Sequence, residues 1–236
     1  VVVSIFVNPL QFGANEDLAN YPRTLEADCR KLQAAGAHLV FTPTVKEMYP
    51  DFDGVSLGQT MTVLPPPIAH ELCGASRPSH FDGVATVVAK LFNIVQPQVA
   101  VFGKKDYQQL FIIRELVKQF NLPIEIVAGE TVRETSGLAM SSRNGYLTEA
   151  ERNKAAELQR ALKEIVQKIQ AGNTDFNALT NATTRALTES GWLVDYVSIR
   201  TQKSLIYPTS QDNELVVLAA AKLGTTRLID NIDFLR

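Results

Sequence analysis

Between an apolar run, Val99-Ala100-Val101-Phe102, and a helical pattern that begins near Gln108 stand Gly103, Lys104, Lys105, Asp106 and Tyr107, followed by Gln108 and Gln109. A strand should end here, Gly103 should let the backbone turn sharply, and cations, a carboxylate and amides should fan out. In open α/β sheets ligands gather beyond the carboxyl ends of strands, so such a cluster is placed to meet a substrate. The alternative is a solvated strand-to-helix loop. A second cluster, Met140-Ser141-Ser142-Arg143-Asn144, offers two hydroxyls and a guanidinium. These donate several charge-assisted hydrogen bonds to a polyphosphate, or else form a polar hinge. A third, Asn8-Pro9-Leu10-Gln11-Phe12, puts an amide where it orients a small polar ligand or lies on the surface. All three follow strand ends or the domain junction, which favours a site for ATP and a small acid. No G-x-G and no G-x-x-x-x-G-K-[ST] occurs, so neither the dinucleotide fingerprint nor a P-loop is present.

The elements that would position these clusters alternate. Val1 to Val7 is a continuous β-branched and aromatic run, as expected of a strand buried on both faces. A helix is predicted near Thr24 to Ala35, stopped by Gly36, and a strand over His38 to Phe41. Residues 50–80 are rich in Gly, Pro and Ser and read as a long functional loop with short strand content. A helix led by Gly83, with Val84, Val87, Val88, Leu91, Phe92 and Val95 inward, precedes strand 99–102, helix 108–120 and strand 124–128. This alternation implies a doubly wound parallel sheet with right-handed crossovers. After Tyr146 the pattern changes. Thr148-Glu149-Ala150-Glu151 forms a capping box opening a long helix to about Gln170. A helix near Asp175 to Glu189 and strands at 196–200, 215–223 and 227–230 follow. The reading is therefore a Rossmann-like domain over 1–146 and a smaller α+β domain over 147–236.

The chain has 236 residues, 45% hydrophobic and 20% charged, with 23 Lys plus Arg against 25 Asp plus Glu. That balance argues against a nucleic-acid partner, which calls for excess positive charge. Apolar runs such as Leu215 to Ala221 are far too short to span a bilayer. Cys29 and Cys73 show no zinc spacing and suit a reducing compartment. The chain reads as soluble and cytoplasmic.

In order along the chain, Phe6-Val7-Asn8-Pro9-Leu10-Gln11-Phe12, Tyr21-Pro22-Arg23-Thr24, Phe41-Thr42-Pro43, Ser76-Arg77-Pro78-Ser79-His80-Phe81, Phe102 to Gln109, Met140 to Gly145 and Arg227-Leu228-Ile229-Asp230-Asn231 resemble the pantothenate synthetase family. These are ATP-dependent ligases joining pantoate to β-alanine, and the likeness covers essentially the whole chain. It implies a Rossmann-like nucleotidyltransferase fold with a small C-terminal domain, a homodimer, and a Mg2+-bound ATP substrate. It also implies two steps: pantoate's carboxylate attacks the α-phosphorus, giving pantoyl adenylate and pyrophosphate, and β-alanine's amine then displaces AMP. By this resemblance Gln11 and Gln109 are the amides that bind pantoate, with Gln11 near β-alanine, and Asn8 joins the substrate set. Gly103, Lys104, Lys105 and Asp106 form the ATP loop, with Lys105 on phosphate and Asp106 on the ribose. Val132 gives a backbone contact to adenine, and Met140, Ser141, Ser142 and Arg143 close over the triphosphate. Lys105, Ser141, Ser142 and Arg143 are thus the expected catalytic set. Lys104 stands where many relatives carry an acid, which suggests a solvent-exposed side chain. Arg77, His80 and Asp28 lie in matching segments as supporting residues, with Asp28 a candidate metal contact.

One departure stands out. The family carries an H-x-G-H motif after its first strand, and none of His38, His70 and His80 fits it. The sequence opens at what should be the second strand, so a first strand is expected upstream of Val1, between the strands at 1–7 and 99–102. The competing readings are a nucleotidyltransferase acting on another small acid, and a truncated, non-catalytic nucleotide-binding or dimerisation module.

Overall fold

The computed structural model describes residues 1–13 and 16–236. The chain divides into two compact units, Val1–Ala100 with Ile112–Ile126, and Val101–Phe111 with Val127–Arg236. These limits differ from the expected junction near 146.

In the first unit the order is β1 (Val2–Ser4), α1 (Leu25–Ala34), β2 (Leu39–Phe41), α2 (Val45–Met48), α3 (Cys73–Ser76) and α4 (His80–Val95). β1 and β2 pair in parallel, Val2 opposite Leu39 and Ser4 opposite Phe41. Among the described residues β1 is not buried on both faces, as follows when the further strand expected beside it lies outside this sequence. β1 has three residues, and Val1 and Val2 are 75% and 46% exposed. β1 has β2 as its one neighbour among the described residues, so its other edge lacks a ladder. α1 ends at Gly36, whose φ of +79° no β-carbon would favour. Residues 50–66 hold no strand, against expectation; proline and glycine leave them irregular. α4 starts at His80 rather than Gly83 and buries Val84, Val87, Val88 and Phe92, while Leu91 and Val95 are half-buried.

β3 (Val99–Gly103), α5 (Tyr107–Gln119) and β4 (Glu125–Gly129) each contribute residues to both units, and β3 pairs with β4. Gly103 does not make the sharp turn expected of it. Its φ of −72° and ψ of 136° are ordinary extended backbone. The direction changes in the 3-10 turn Lys104–Asp106 that follows.

The second unit continues with α6 (Glu149–Ala155), α7 (Glu157–Gln170), α8 (Phe176–Glu189), β5 (Leu193–Thr201), β6 (Glu214–Leu223) and β7 (Thr226–Leu235). The Thr148–Glu151 capping box forms as expected: Thr148 N donates to Glu151 Oε2 at 2.9 Å and Glu151 N to Thr148 Oγ1 at 3.3 Å. The single long helix expected after it is two, parted at Ala156. The three strands form an antiparallel sheet ordered β5-β6-β7. α7 and α8 cover it, burying Leu162, Ile165, Ile169, Leu179 and Leu187 with Leu215, Val217 and Ala219. Among the described residues no helix is long and apolar enough to cross a membrane.

Candidate functional site

The first unit holds Asn8 and Gln11 on a 3-10 turn, Pro9–Gln11, directly after the β1 segment. Asn8 is 3% exposed, and every polar atom of its side chain is engaged. Its Oδ1 accepts from Leu10 N at 3.3 Å and from the Tyr49 hydroxyl. Its Nδ2 donates to Gly83 O and to Gln11 Oε1, both at 3.2 Å. Burial pushes the Tyr49 phenol up to about 12, so it remains a neutral donor. Asn8 therefore caps the turn and aims the Gln11 amide, whose Nε2 has no partner among the described residues.

Gly83 makes this arrangement possible. A β-carbon there would lie 2.5 Å from Leu10 O and 2.7 Å from both Gln11 N and Cα. α4 thus approaches the Gln11 turn backbone to backbone. The sequence signal for this was a glycine inside a helical apolar pattern, which marks close approach when it is not a stop.

Arg77 and His80 belong to the same unit and are tied to the turn. Arg77 donates to both carboxylate oxygens of Glu16, at 2.7 and 2.6 Å, and its Nη1 lies 2.9 Å from His80 Nε2. A guanidinium only donates, so Nε2 accepts and the proton sits on Nδ1. Nδ1 then donates to Gln11 O at 2.8 Å. Glu16 escaped notice in the sequence because its partner is 61 residues away. Asp28, the candidate metal contact, accepts from Thr24 Oγ1 at 3.0 Å within the α1 entry. No group of three His, Cys, Asp or Glu side chains suited to a metal occurs among the described residues. His38 Nδ1 lies 2.6 Å from the Val1 amino group, and His70 closes the 3-10 turn Pro67–His70.

Burial raises the Glu16 carboxyl, but the Arg77 hydrogen bonds and charge outweigh this and hold it below its ordinary 4.5. A depressed carboxylate stabilises the fold above its unfolded pKa, and that contribution is lost as pH falls through the folded value. Wild type is expected to melt above Glu16→Gln near neutral pH. The gap should narrow as the pH falls below the ordinary carboxyl value and close once it has passed through the lowered folded one. A gap independent of pH in melting curves would refute the ion pair's role.

The second unit holds Gly103, Lys104, Lys105, Asp106 and Gln109 at the start of α5, and Val132 with Met140 to Arg143 beyond β4. The two lysines differ sharply. Lys104 Nζ lies 2.6 Å from Glu130 Oε1 and 2.9 Å from Asp233 Oδ2. The hydrogen bond to Glu130, with that to Asp233, holds its ammonium above the usual lysine range despite some burial. The expectation of a solvent-exposed Lys104 is therefore corrected: it is an ion-paired strut. Lys105 is half-buried and has no carboxylate partner among the described residues, which leaves it as the cation available to an anion. Gln109 is half-buried, while its neighbour Gln108 is 4% exposed and internally bonded.

Val132 and Met140 sit side by side. Met140 N donates to Val132 O at 2.9 Å beside the Arg133–Ala139 bridge, and both side chains are exposed. Arg133 locks this hairpin to β7 by donating to Asp230 at 2.7 and 2.9 Å and to Gly137 O at 3.1 Å. Ser141 caps the 3-10 turn Ser142–Tyr146, its Oγ accepting from Arg143 N at 3.2 Å. Ser142 and Arg143 also engage in interactions within the protein. Behind them, Glu134 accepts from Asn144 Nδ2 at 2.9 Å and from Arg152 at 2.9 Å through both oxygens. The Arg152 guanidinium, with Asn144, holds the Glu134 carboxyl below its usual range.

The first unit thus offers Gln11 Nε2, a donor with no partner among the described residues. The second offers the Gln109 amide, the Lys105 ammonium and a hydroxyl-capped turn beside an arginine. Each set suits anionic oxygen ligands. Comparison with known proteins gives this a family. A model described as pantoate-beta-alanine ligase matches residues 1–233. A pantothenate synthetase of Methylobacillus flagellatus is 66% identical over 234 residues, 99% of this chain and 82% of that protein. One from Thiobacillus denitrificans is 60% identical over 234 residues, 99% of this chain and 81% of the other. The crystal structure of pantothenate synthetase from Thermus thermophilus superposes with a TM-score of 0.90 at 43% identity, covering 98% of this chain and 82% of that one. The fold is accordingly the α/β, nucleotidyltransferase-type fold of those enzymes. A Francisella tularensis pantoate-beta-alanine ligase, complexed with beta-gamma ATP and β-alanine, matches at a TM-score of 0.71 and 33% identity over 98% of this chain and 78% of that one. On its family match over residues 1–233, its sequence relatives and its superposition, the chain belongs to the pantoate–β-alanine ligase family.

Proposed function

We propose that this protein condenses pantoate with β-alanine using ATP, through pantoyl adenylate, releasing pyrophosphate and AMP. The observation that carries the reading is family membership joined to a divided lysine pair: Lys104 neutralised by Glu130 and Asp233, Lys105 left for phosphate. In the first step a carboxylate oxygen of pantoate bonds to the α-phosphorus while the bond to the pyrophosphate oxygen breaks. Two anions must meet, so donors have to neutralise charge and hold the groups in line. Lys105 and Arg143 supply charge, Ser141 and Ser142 hydroxyls and backbone line the triphosphate, and Asp106 takes the ribose. Gln11 Nε2 and the Gln109 amide hold pantoate, with Asn8 acting through Gln11. Val132 offers backbone to adenine, and Gly103 and Met140 flank the nucleotide. In the second step the β-alanine nitrogen bonds to the activated carbonyl, AMP departs with the bonding electron pair, and the amine loses a proton.

Mg2+ belongs in this reading as part of the nucleotide substrate. The described residues provide no cage of three ligands, and Mg2+ commonly binds through substrate phosphates and water. There it would shield phosphate charge. The reading includes a cytoplasmic homodimer. It retains 1–146 as the ATP- and pantoate-binding region and 147–236 as its C-terminal partner.

The test is pantoate-dependent exchange of labelled pyrophosphate into ATP. Exchange is expected; its absence, with ATP binding retained, would leave a non-catalytic nucleotide-binding module. Lys105→Ala should slow adenylation by about 3 kcal/mol of lost transition-state stabilisation, and β-alanine transfer from supplied pantoyl adenylate much less. Equal slowing of both half-reactions in rapid-quench measurements would count against the assignment.

A further inference from the structure

The 3-10 turn Lys104–Asp106 is three residues long, and such turns have poor hydrogen-bond geometry of their own. Its position is set from β7, within the second unit. Asn231 is 4% exposed, and its Nδ2 donates to two successive carbonyls of the turn, Lys104 O at 3.0 Å and Lys105 O at 2.8 Å. Both amide hydrogens are thereby used on the backbone that carries Lys105. Asn231 is itself fixed, since its N–H donates to Asp230 Oδ1 at 2.8 Å, and Asp230 is gripped by Arg133 through both oxygens. Lys104 adds an outer tie from the turn to Asp233 on the same strand, and to Glu130.

We propose that Asn231 is a positioning residue for nucleotide binding, with the Lys104–Asp233 pair as its support. It holds the two peptides on either side of Lys105, through Lys104 O and Lys105 O, so that the Lys105 ammonium and the Asp106 carboxylate stand ready before ATP arrives. This rests on the reading of Lys105 and Asp106 as nucleotide contacts. Asparagine is the shortest side chain that carries two N–H donors on one nitrogen, which suits it to bridge two successive carbonyls. Alanine leaves both carbonyls without this donor, and aspartate sets an anionic oxygen against them.

The experiment measures ATP affinity by titration calorimetry and KM for ATP, pantoate and β-alanine, on wild type, Asn231→Ala, Asn231→Asp and Lys104→Met. Asn231→Ala is expected to weaken ATP about tenfold and Asn231→Asp more, with KM for β-alanine changed less than about twofold. Lys104→Met, a milder change on the outer tie, should weaken ATP about threefold while still folding. It decides the matter if the Asn231 variants do not fold. ATP affinity unchanged in the folded variants overturns the proposal. So does an equal loss for ATP and β-alanine, which would signify general loosening rather than positioning. Wild type that binds no ATP would overturn the nucleotide reading itself and this inference with it. Wild-type binding with indifferent variants overturns this inference alone.

Discussion

Gly83→Ala is expected to destabilise the protein and to raise KM for pantoate about tenfold, although alanine is the better helix former. Position 83 lies inside α4, where propensity alone would favour alanine by about 1 kcal/mol. Sterics oppose it. The new β-carbon would stand 2.5 Å from Leu10 O and 2.7 Å from Gln11 N and Cα, and these are backbone atoms that cannot swing away. Forcing them apart costs about 1–3 kcal/mol, so the steric term outweighs the propensity gain. The shift would fall on Gln11 itself and on the Asn8 Nδ2 bond to Gly83 O, coupling stability to substrate binding. Chemical denaturation and the pantoate KM check both parts. A stabilised variant with unchanged KM would sink the argument, because propensity would then have prevailed.

Arg133→Ala is expected to be among the most destabilising single changes in the second unit. Asp230 is 4% exposed and receives two bonds from the guanidinium, at 2.7 and 2.9 Å. Removing one member of such a pair leaves a buried charge uncompensated, at a cost of about 3–5 kcal/mol, with Arg133's partial exposure favouring the lower end. Against a usual total stability of about 5–15 kcal/mol this is a large fraction. The double variant Arg133→Met with Asp230→Asn removes both charges and should recover much of the loss. Urea unfolding of the single and double variants decides it. A loss under about 1 kcal/mol in the single variant would show that the pair is effectively solvated.

The positions of most elements were legible in the sequence because apolar period and capping residues are local. Thr148 and Glu151 close their capping box three residues apart, and Gly36 stops α1 with a positive φ. Strand burial was not legible. Val1 and Val2 look like interior residues by composition, yet burial depends on which strand lies alongside, and β1 pairs with β2 alone among the described residues. Ala156, where the expected long helix parts in two, carries no breaking residue to announce it. The three polar clusters were found because residue type and loop position are visible, but the division of labour inside them was not. Lys104 and Lys105 are indistinguishable by type, and what separates them is Asp233, 129 residues from Lys104. Nor does the type of Asn8 announce its engagement by Tyr49 and Gly83, which lie 41 and 75 residues away.

The turn bearing Gln11 also carries a consequence for how the protein comes to be folded. Its fastening partners lie far along the chain: Arg77 is 61 residues from Glu16, His80 is 69 from Gln11, and Gly83 is 75 from Asn8. Closing loops of that length costs entropy before any of those bonds can form. During synthesis the turn leaves the ribosome long before α4 exists, and with only the local Asn8 bonds to hold it Gln11 is not yet fixed. The placement of the Gln11 amide is therefore a late product of folding, set only when α4 docks, although Gln11 stands among the first dozen residues of this sequence.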